Sequence, residues 1–285
     1  MTAAIFAFLA LLGEGASPAA AQGGPGQARP PRPSAAVPQP APAPPRSDRV
    51  SVVRARGELL VCTSRDLLGL GWRNPRNGEL EGLDTDLGRA LAARLEVRAR
   101  FVEAPSDLVL VGLEEGRCDI AIGGVAVTPA RAERVAFAKP YLTGPLTVVT
   151  AGGTARVRSW NELDRGGIVI AVQPGSVAEE MLRDNLRAAE LLVTRPPLAP
   201  EQEVASGRAD ALVTDFAGSR HMRDDNAWRV IDAPRGAREV LYAMAVPRGE
   251  GGWLAEVNAF LGTVRSDGTM ARSAQRWGLT GNLMP

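Results

Sequence analysis

Short apolar runs alternate with segments of helical periodicity along residues 58–123. Leu83, Leu87 and Leu91 recur at four-residue spacing, which places them on one face of a helix predicted at 84–95. The remaining patterns predict strands at 58–63, 97–102 and 119–123, and a second helix at 106–115. Strands that alternate with helices at this spacing predict a parallel α/β sheet.

The same order of elements recurs further along the chain. Strands are predicted at 168–172, 191–194 and 209–214, and helices at 176–189 and 201–206. The phrase Glu-Gly-Arg-Cys-Asp-Ile-Ala-Ile, which starts at residue 115, is nearly copied by Ser-Gly-Arg-Ala-Asp-Ala-Leu-Val, which starts at residue 206. Two similar α/β lobes are therefore predicted, with a ligand-binding cleft between the carboxyl ends of their strands. A strand at 240–246 and helices at 253–264 and 270–277 follow the second unit.

The first residues indicate export. An apolar run at residues 3–12 is too short to span a bilayer, and small residues that end in Ala19-Ala20-Ala21 follow it. This pattern is typical of a secretory signal peptide, predicted at 1–21, with cleavage before Gln22. Residues 22–48 are dense in Pro and Ala. Because such a segment cannot bury enough apolar surface to offset its chain entropy, it is predicted to be a disordered linker.

Composition excludes several classes of function. The 285 residues carry 33 Lys and Arg against 32 Asp and Glu, so no basic field favours nucleic-acid binding. Aromatic residues make up only 5%, which disfavours base stacking. His221 is the single histidine. A site with several histidine ligands is therefore excluded, and a Ser-His-Asp triad would have to use His221.

Cys62 and Cys118 are the two cysteines of the chain. In an oxidising compartment such a pair is a candidate for a disulfide. Two buried thiols on separate core strands fit the pattern equally well. The sequence alone does not fix the Cα separation that a bridge requires, so both interpretations stay open.

An ordered set of motifs resembles the bacterial extracellular solute-binding proteins for polar amino acids, which serve ABC transporters. The resemblance covers residues 49–279. The motifs are Gly-Leu-Asp-Thr-Asp-Leu at 82–87, Gly-Arg-Cys-Asp-Ile-Ala-Ile at 116–122, Thr-Pro-Ala-Arg-Ala-Glu-Arg-Val at 128–135, Phe-Ala-Lys-Pro-Tyr at 137–141, Val-Gln-Pro-Gly-Ser at 172–176, Gly-Arg-Ala-Asp-Ala at 207–211, Asp-Gly-Thr at 267–269 and Trp-Gly at 277–278.

The resemblance implies a two-lobed α/β fold, the type II periplasmic-binding-protein fold, in which each lobe is a parallel-dominated sheet flanked by helices. Lobe 1 would comprise 49–143 and 242–285, and lobe 2 would comprise 144–241. Two hinge strands, near 142–149 and 241–246, would let the lobes close by rotation. It further implies an exported monomer that delivers its ligand to a membrane permease, without a cofactor, a metal or a nucleic acid.

The resemblance also assigns a ligand site. Arg131 would bind a ligand carboxylate, for which guanidinium is a planar bidentate donor. Ser176 and Val177 would offer backbone N–H groups at a helix start, and Asp215 would bind the ligand ammonium. Each has a plainer interpretation, because an arginine after Thr-Pro can be solvated and an aspartate at a strand end can cap the next helix. The remaining ligand-binding candidates are Gly124, Ala126, Asp66 and Trp72.

Departures from the family leave the ligand side chain open. The positions that usually hold two aromatic residues around it are Leu67 and Ser106. Ala126 replaces a residue that often offers a hydroxyl group to the ammonium. Trp72 is a possible substitute lid, although it could equally pack on lobe 1. The cleft is therefore expected to be wider and less aromatic than is usual in the family.

Two rival functions remain. Cyclohexadienyl or arogenate dehydratases resemble the same family, and the segment from Val172 to Leu186 resembles theirs, with Glu179 in the place of a general acid. In plain binding proteins a Glu at this position caps the helix. The second rival is a protein of the same fold that serves as a partner of a periplasmic quinoprotein oxidoreductase. Such partners carry two cysteines at positions that Cys62 and Cys118 match.

Overall fold

The computed structural model describes residues 48–153, 156–195 and 197–285. The predicted signal peptide and, apart from Asp48, the predicted linker lie outside these residues. No helix in the described ranges combines the length and the apolar character needed to cross a membrane. The α-helices, in chain order, are α1 (Arg49–Arg56), α2 (Leu83–Arg94), α3 (Val109–Glu114), α4 (Pro129–Ala132), α5 (Val177–Asn185), α6 (Pro200–Ala205), α7 (Gly251–Ser266) and α8 (Thr269–Arg276).

The strands form two larger sheets and one small sheet. In chain order they are β1 (Glu58–Ser64), β2 (Asp66–Leu67), β3 (Gly71–Arg73), β4 (Leu80–Glu81), β5 (Arg98–Ala104), β6 (Ile120–Ala121), β7 (Val135–Phe137), β8 (Leu142–Ala151), β9 (Val169–Val172), β10 (Glu190–Val193), β11 (Ala211–Asp215), β12 (Trp228–Asp232), β13 (Glu239–Tyr242) and β14 (Ala245–Pro247).

The first sheet has the strand order β5-β1-β6-β14-β7 and the second has the order β10-β9-β11-β8-β12. In each sheet three neighbouring strands pair in parallel, as the alternation of strands and helices predicts, and antiparallel strands extend one side. The chain crosses between the two sheets through β8 and through the segment from β13 to β14. The first four residues of β8 pair with β13, and the rest pair with β11 and β12.

The repeated phrase has one structural role in both lobes. Asp119 accepts a hydrogen bond from the backbone N–H of Leu60 at 2.9 Å, and Asp210 accepts one from Val169 at 2.9 Å. In both cases the carboxylate precedes one parallel strand and satisfies a backbone donor in its neighbour. The glycine that comes three residues earlier has a positive φ in each copy, so the turn requires glycine.

The C-terminal helices pack on the first lobe. Asp86, in the first turn of α2, accepts hydrogen bonds from the Ser273 hydroxyl at 2.6 Å and the Trp277 indole N–H at 3.0 Å. Trp253 is buried and donates its indole N–H to the carbonyl of Asp119 at 2.8 Å. These contacts hold the start of α7 against the first sheet near Asp119 and the end of α8 against α2.

One contact joins the end of this tail to the other lobe. Arg220 lies in a 3-10 turn after β11, and its guanidinium donates to the carbonyl of Trp277 at 2.7 Å and of Gly278 at 3.1 Å. The contact therefore joins the second lobe to the C-terminal tail on the first. Burial lowers the pKa of Arg220 below its usual range, although the guanidinium keeps both acceptors.

Cys62 and Cys118 form a disulfide, with their Cα atoms 5.7 Å apart. Cys62 lies in β1 and Cys118 just before β6, so the bridge links neighbouring strands of the first sheet. The alternative of two buried thiols is therefore wrong for this structure. A Cβ at Gly112 of α3 would come within 2.6 Å of the Cys62 sulfur, so α3 approaches the bridge closely.

Some predicted boundaries are wrong, for reasons outside the local pattern. The helix predicted at 176–189 ends at Asn185, because Asp164 accepts the backbone N–H groups of Arg187, Ala188 and Ala189. The strand predicted at 240–246 divides into β13 and β14, since the chain changes its partner strands there. The helix predicted at 106–115 begins with a 3-10 turn. Several features have no predicted counterpart, namely α1, α4, β7, β12 and the small sheet of β2, β3 and β4.

Candidate functional site

A cavity of about 320 Å³ opens between the two lobes. All eight ligand-binding residues predicted from the sequence lie on its walls. They are Asp66, Trp72, Gly124, Ala126 and Arg131 from the first lobe, and Ser176, Val177 and Asp215 from the second. A cavity of this size lies at the lower end of the range for small-molecule sites.

A buried carboxylate shapes the wall at Gly124. Asp84, at the start of α2, accepts the Gly124 backbone N–H at 2.7 Å and a hydrogen bond from the Tyr141 hydroxyl. Gly124 has φ +66°, and an added Cβ would come within 2.6 Å of the Leu67 side chain. Burial is the main effect on Asp84 and raises the pKa of its carboxyl to about 6. Asp84 thus holds the loop that carries Gly124 and Ala126.

Arg131 lies in the short helix α4, whose first turn is capped by the hydroxyl of Thr128. Its guanidinium donates to the carbonyl of Ala126 at 3.1 Å and, across the cleft, to the carbonyl of Gly175 at 2.7 Å. Its Nε lies 3.5 Å from a carboxylate oxygen of Glu180. Burial lowers the pKa of Arg131, and Glu180 and Asp215 act in the opposite direction. The arginine is therefore an ordered cation between both walls, not a solvated surface residue.

Ser176 is the N-cap of α5, and its hydroxyl accepts the backbone N–H of Glu179 at 3.1 Å. The start of this helix therefore faces the cavity through Ser176, Val177 and Ala178. The carboxylate of Glu179 accepts the Gly175 backbone N–H at 2.6 Å and pairs with Arg183. Glu179 is not among the residues that line the cavity, and both of its oxygens have partners, so it caps the turn before α5.

Asp215 ends β11 and faces the cavity. One carboxylate oxygen accepts the backbone N–H of Gly218 at 2.8 Å, and burial raises the pKa of the carboxyl above its usual range. Burial, together with the nearby charge of Asp215, raises the pKa of the Tyr242 phenol well above its usual range. The buried hydroxyl nevertheless has no hydrogen bond of normal geometry to any described residue. Asp215 and Arg131 form no ion pair, although the charge of Arg131 acts against the rise in the pKa of Asp215.

Asp66 and Trp72 lie directly opposite each other on β2 and β3. Side chains at such paired positions share one face of a sheet, so both reach the cavity from the same wall. Asp66 also accepts the backbone N–H of Ser106 at 3.2 Å. Part of Asp66 stays open to solvent, yet desolvation by the surrounding cleft raises the pKa of its carboxyl above the usual range.

The cavity contains three ionisable residues that the sequence did not single out as ligand contacts: Asp107, Glu201 and His221. Asp107 lies in the 3-10 turn before α3, and Glu201 in the first turn of α6. Acidic residues in first turns complement the helix dipole wherever they lie. The sequence therefore carries no signal that separates these two from ordinary helix-terminal acids.

Matches with known proteins agree with this geometry. The family model for bacterial extracellular solute-binding proteins, family 3, matches residues 59–280. The glutamine-binding protein GlnH of the Bacillus subtilis ABC transporter is 26% identical over 81% of this chain and 85% of its own length. The cyclohexadienyl dehydratase of Pseudomonas aeruginosa is 27% identical over 61% of this chain and 65% of its own length.

A solved structure matches most of the described fold. It is the crystal structure of an ancestral amino-acid-binding protein, a precursor of cyclohexadienyl dehydratase. It has a TM-score of 0.70 and 29% identity, and the match covers 81% of this chain and 99% of the other. The type II periplasmic-binding-protein fold expected from the sequence is thereby confirmed. Since the family model spans most of the folded chain, the protein belongs to family 3 of the bacterial extracellular solute-binding proteins.

Proposed function

We propose that this protein binds a small amino acid in the cleft outside the cytoplasm and closes around it, for delivery to an ABC transporter. Arg131 binds the ligand carboxylate, Asp215 binds the ammonium, and the backbone around Ser176 and Gly124 completes the site. The observation that carries the proposal is that Arg131 and Asp215 come from opposite lobes and line one cavity. A zwitterion that contacts both would favour the closed form over an open one.

The other parts of the proposal follow from the family and the sequence. Lobe boundaries at 143/144 and 241/242 let the two crossing segments act as hinges. A signal peptide at 1–21 leaves a mature chain that starts at Gln22. Mass spectrometry of the extracytoplasmic fraction tests this start, and full-length protein found only in the cytoplasm would contradict it.

Calorimetry on the purified mature protein tests the central claim, after a thermal-shift screen of the common L-amino acids. The expected result is saturable binding of at least one amino acid with a stoichiometry of one. Failure of every amino acid to bind would overturn the proposal. The interpretation as partner of a periplasmic oxidoreductase would then come first, and the Cys62–Cys118 disulfide fits that interpretation.

A dehydratase is the second candidate, because one curated relative has that activity. The contacts of Glu179 argue against it, since both carboxylate oxygens are engaged within the turn and helix. Incubation with prephenate and arogenate decides between the two candidates. We expect no aromatic product, and catalytic formation of phenylpyruvate or phenylalanine would replace the binding function with the enzymatic one.

A further inference from the structure

The cavity carries more negative charge than an amino acid with a neutral side chain requires. Among the residues that the structure describes, its lining includes four carboxylates and one guanidinium, that of Arg131. Asp215 is assigned to the ligand ammonium. Three carboxylates, those of Asp66, Asp107 and Glu201, remain without a role in holding a zwitterion.

These three carboxylates lack positive partners. None of them forms an ion pair with any arginine or lysine among residues 48–153, 156–195 and 197–285. One oxygen of Asp107 is shielded from solvent and has no hydrogen-bond partner in the same residues. A buried acceptor left unpaired destabilises the protein, and more so when it is charged. The unpaired oxygen of Asp107 is therefore available to accept a hydrogen bond from a cationic ligand.

The arrangement around Asp66 suits an organic cation. Trp72 is its direct cross-strand neighbour and lines the same cavity. A carboxylate beside an indole offers a cation both a charge partner and an aromatic face. Glu201 comes from α6 of the opposite lobe, so a cation here would again be contacted from both lobes.

A metal ion does not fit the same groups. No three side chains of His, Cys, Asp or Glu in the described part of the chain are placed to hold one. An organic cation needs no closed set of oxygen ligands, so the carboxylates and the Trp72 ring can hold it where a metal ion does not fit.

We infer that the ligand is a dibasic amino acid, with a guanidinium or ammonium group on its side chain that lies between Asp66, Asp107 and Glu201. This inference rests on the proposed amino-acid-binding function. The ligand α-carboxylate and α-ammonium lie at Arg131 and Asp215, and the aliphatic part of its side chain crosses the space beside Leu67. The usual pair of aromatic residues is absent there, so the three carboxylates select the ligand side chain by its positive charge.

The sharpest test compares arginine with citrulline by calorimetry. The two are nearly identical in shape, and citrulline replaces the guanidinium with a neutral urea group. We expect arginine, lysine or ornithine to bind at least tenfold more tightly than citrulline and glutamine. Citrulline or glutamine binding as tightly as every dibasic amino acid would overturn the inference and leave the proposed function intact. If no amino acid binds at all, both the inference and the proposed function are wrong.

Variants locate the cation. Asp66→Asn, Asp107→Asn and Glu201→Gln remove charge with little change in shape, and each should weaken binding of the preferred dibasic amino acid at least fivefold. The same variants should leave citrulline affinity within about twofold. The matched control is Asp184→Asn, an exposed acid at the far end of α5, which should change neither affinity. Equal losses for both ligands would show a structural role for these acids and contradict the inference.

Discussion

The guanidinium of Arg131 donates to the carbonyl of Gly175 at 2.7 Å and so joins the two walls of the cleft directly. The same group lies 3.5 Å from Glu180, which is also on the second lobe. Arg131 is thus held in place before any carboxylate reaches it. A ligand carboxylate at Arg131 would meet a preorganised donor, which reduces the entropy lost on binding.

Removal of Arg131 should therefore be costly. Loss of one partner of a desolvated charge pair typically costs about 2–5 kcal/mol, and a decade in affinity corresponds to about 1.4 kcal/mol. We expect Arg131→Ala and Asp215→Asn each to weaken amino-acid binding more than tenfold by calorimetry. The control is Arg134→Ala, an exposed arginine close to α4 that pairs with Glu114. Unchanged affinity in a folded Arg131 variant would refute the assigned carboxylate contact.

A variant at Glu179 tests whether this residue caps the helix or acts as a general acid. Glu179→Gln keeps an acceptor for the Gly175 N–H and loses the ion pair with Arg183. Because Glu179 does not line the cavity and the variant keeps the acceptor that caps the turn, amino-acid affinity should stay within about threefold of the wild type. Calorimetry measures this change. A loss of tenfold or more would mean that Glu179 reaches the ligand in solution.

The Cys62–Cys118 disulfide closes a loop between positions 56 residues apart. Alkylation of the denatured, unreduced protein should detect no free thiol, and two free thiols would contradict the bridge. Replacement of both cysteines by Ala should lower the free energy of unfolding by about 2–4 kcal/mol, measured with urea. Ligand affinity should not change, because neither cysteine lines the cavity.

The raised pKa of Asp84 predicts how the free energy of unfolding depends on pH. Its carboxyl is fully buried, and desolvation raises its pKa to about 6 from the ordinary 3.8. The folded protein therefore binds the proton more tightly than the unfolded chain does. This contribution to stability is complete below about pH 3.8 and is lost as the pH rises through about 6.

Asp84→Asn removes this titration and leaves groups able to pair with the Gly124 N–H and the Tyr141 hydroxyl. Relative to the wild type, the variant should gain about 2–3 kcal/mol of stability between pH 4 and pH 7.5. Urea unfolding across this range measures the difference. A difference between the two proteins that does not change with pH would refute the assignment to Asp84.

Sequence reasoning predicted the fold class and the walls of the cleft, because both depend on local patterns. The helical spacing around Leu87 and the repeated Gly-Arg turn followed by Asp can both be recognised within a short stretch of sequence. The end of α5 cannot be recognised in this way, since it depends on Asp164, which lies more than twenty residues away in the chain. Asp107 and Glu201 escaped prediction for a similar reason, because their shared cavity exists only once the two lobes are assembled.

The two hydrogen bonds from Arg220 to the carbonyls of Trp277 and Gly278 lie outside the ligand cavity and yet connect the second lobe to the tail on the first. If the lobes close as proposed, contacts of this kind set how often the empty protein adopts the closed shape. The apparent Kd of every ligand scales with that population by the same factor. We therefore expect overall affinity to be adjustable at Arg220, and the preference for one ligand over another at Asp66, Asp107 and Glu201.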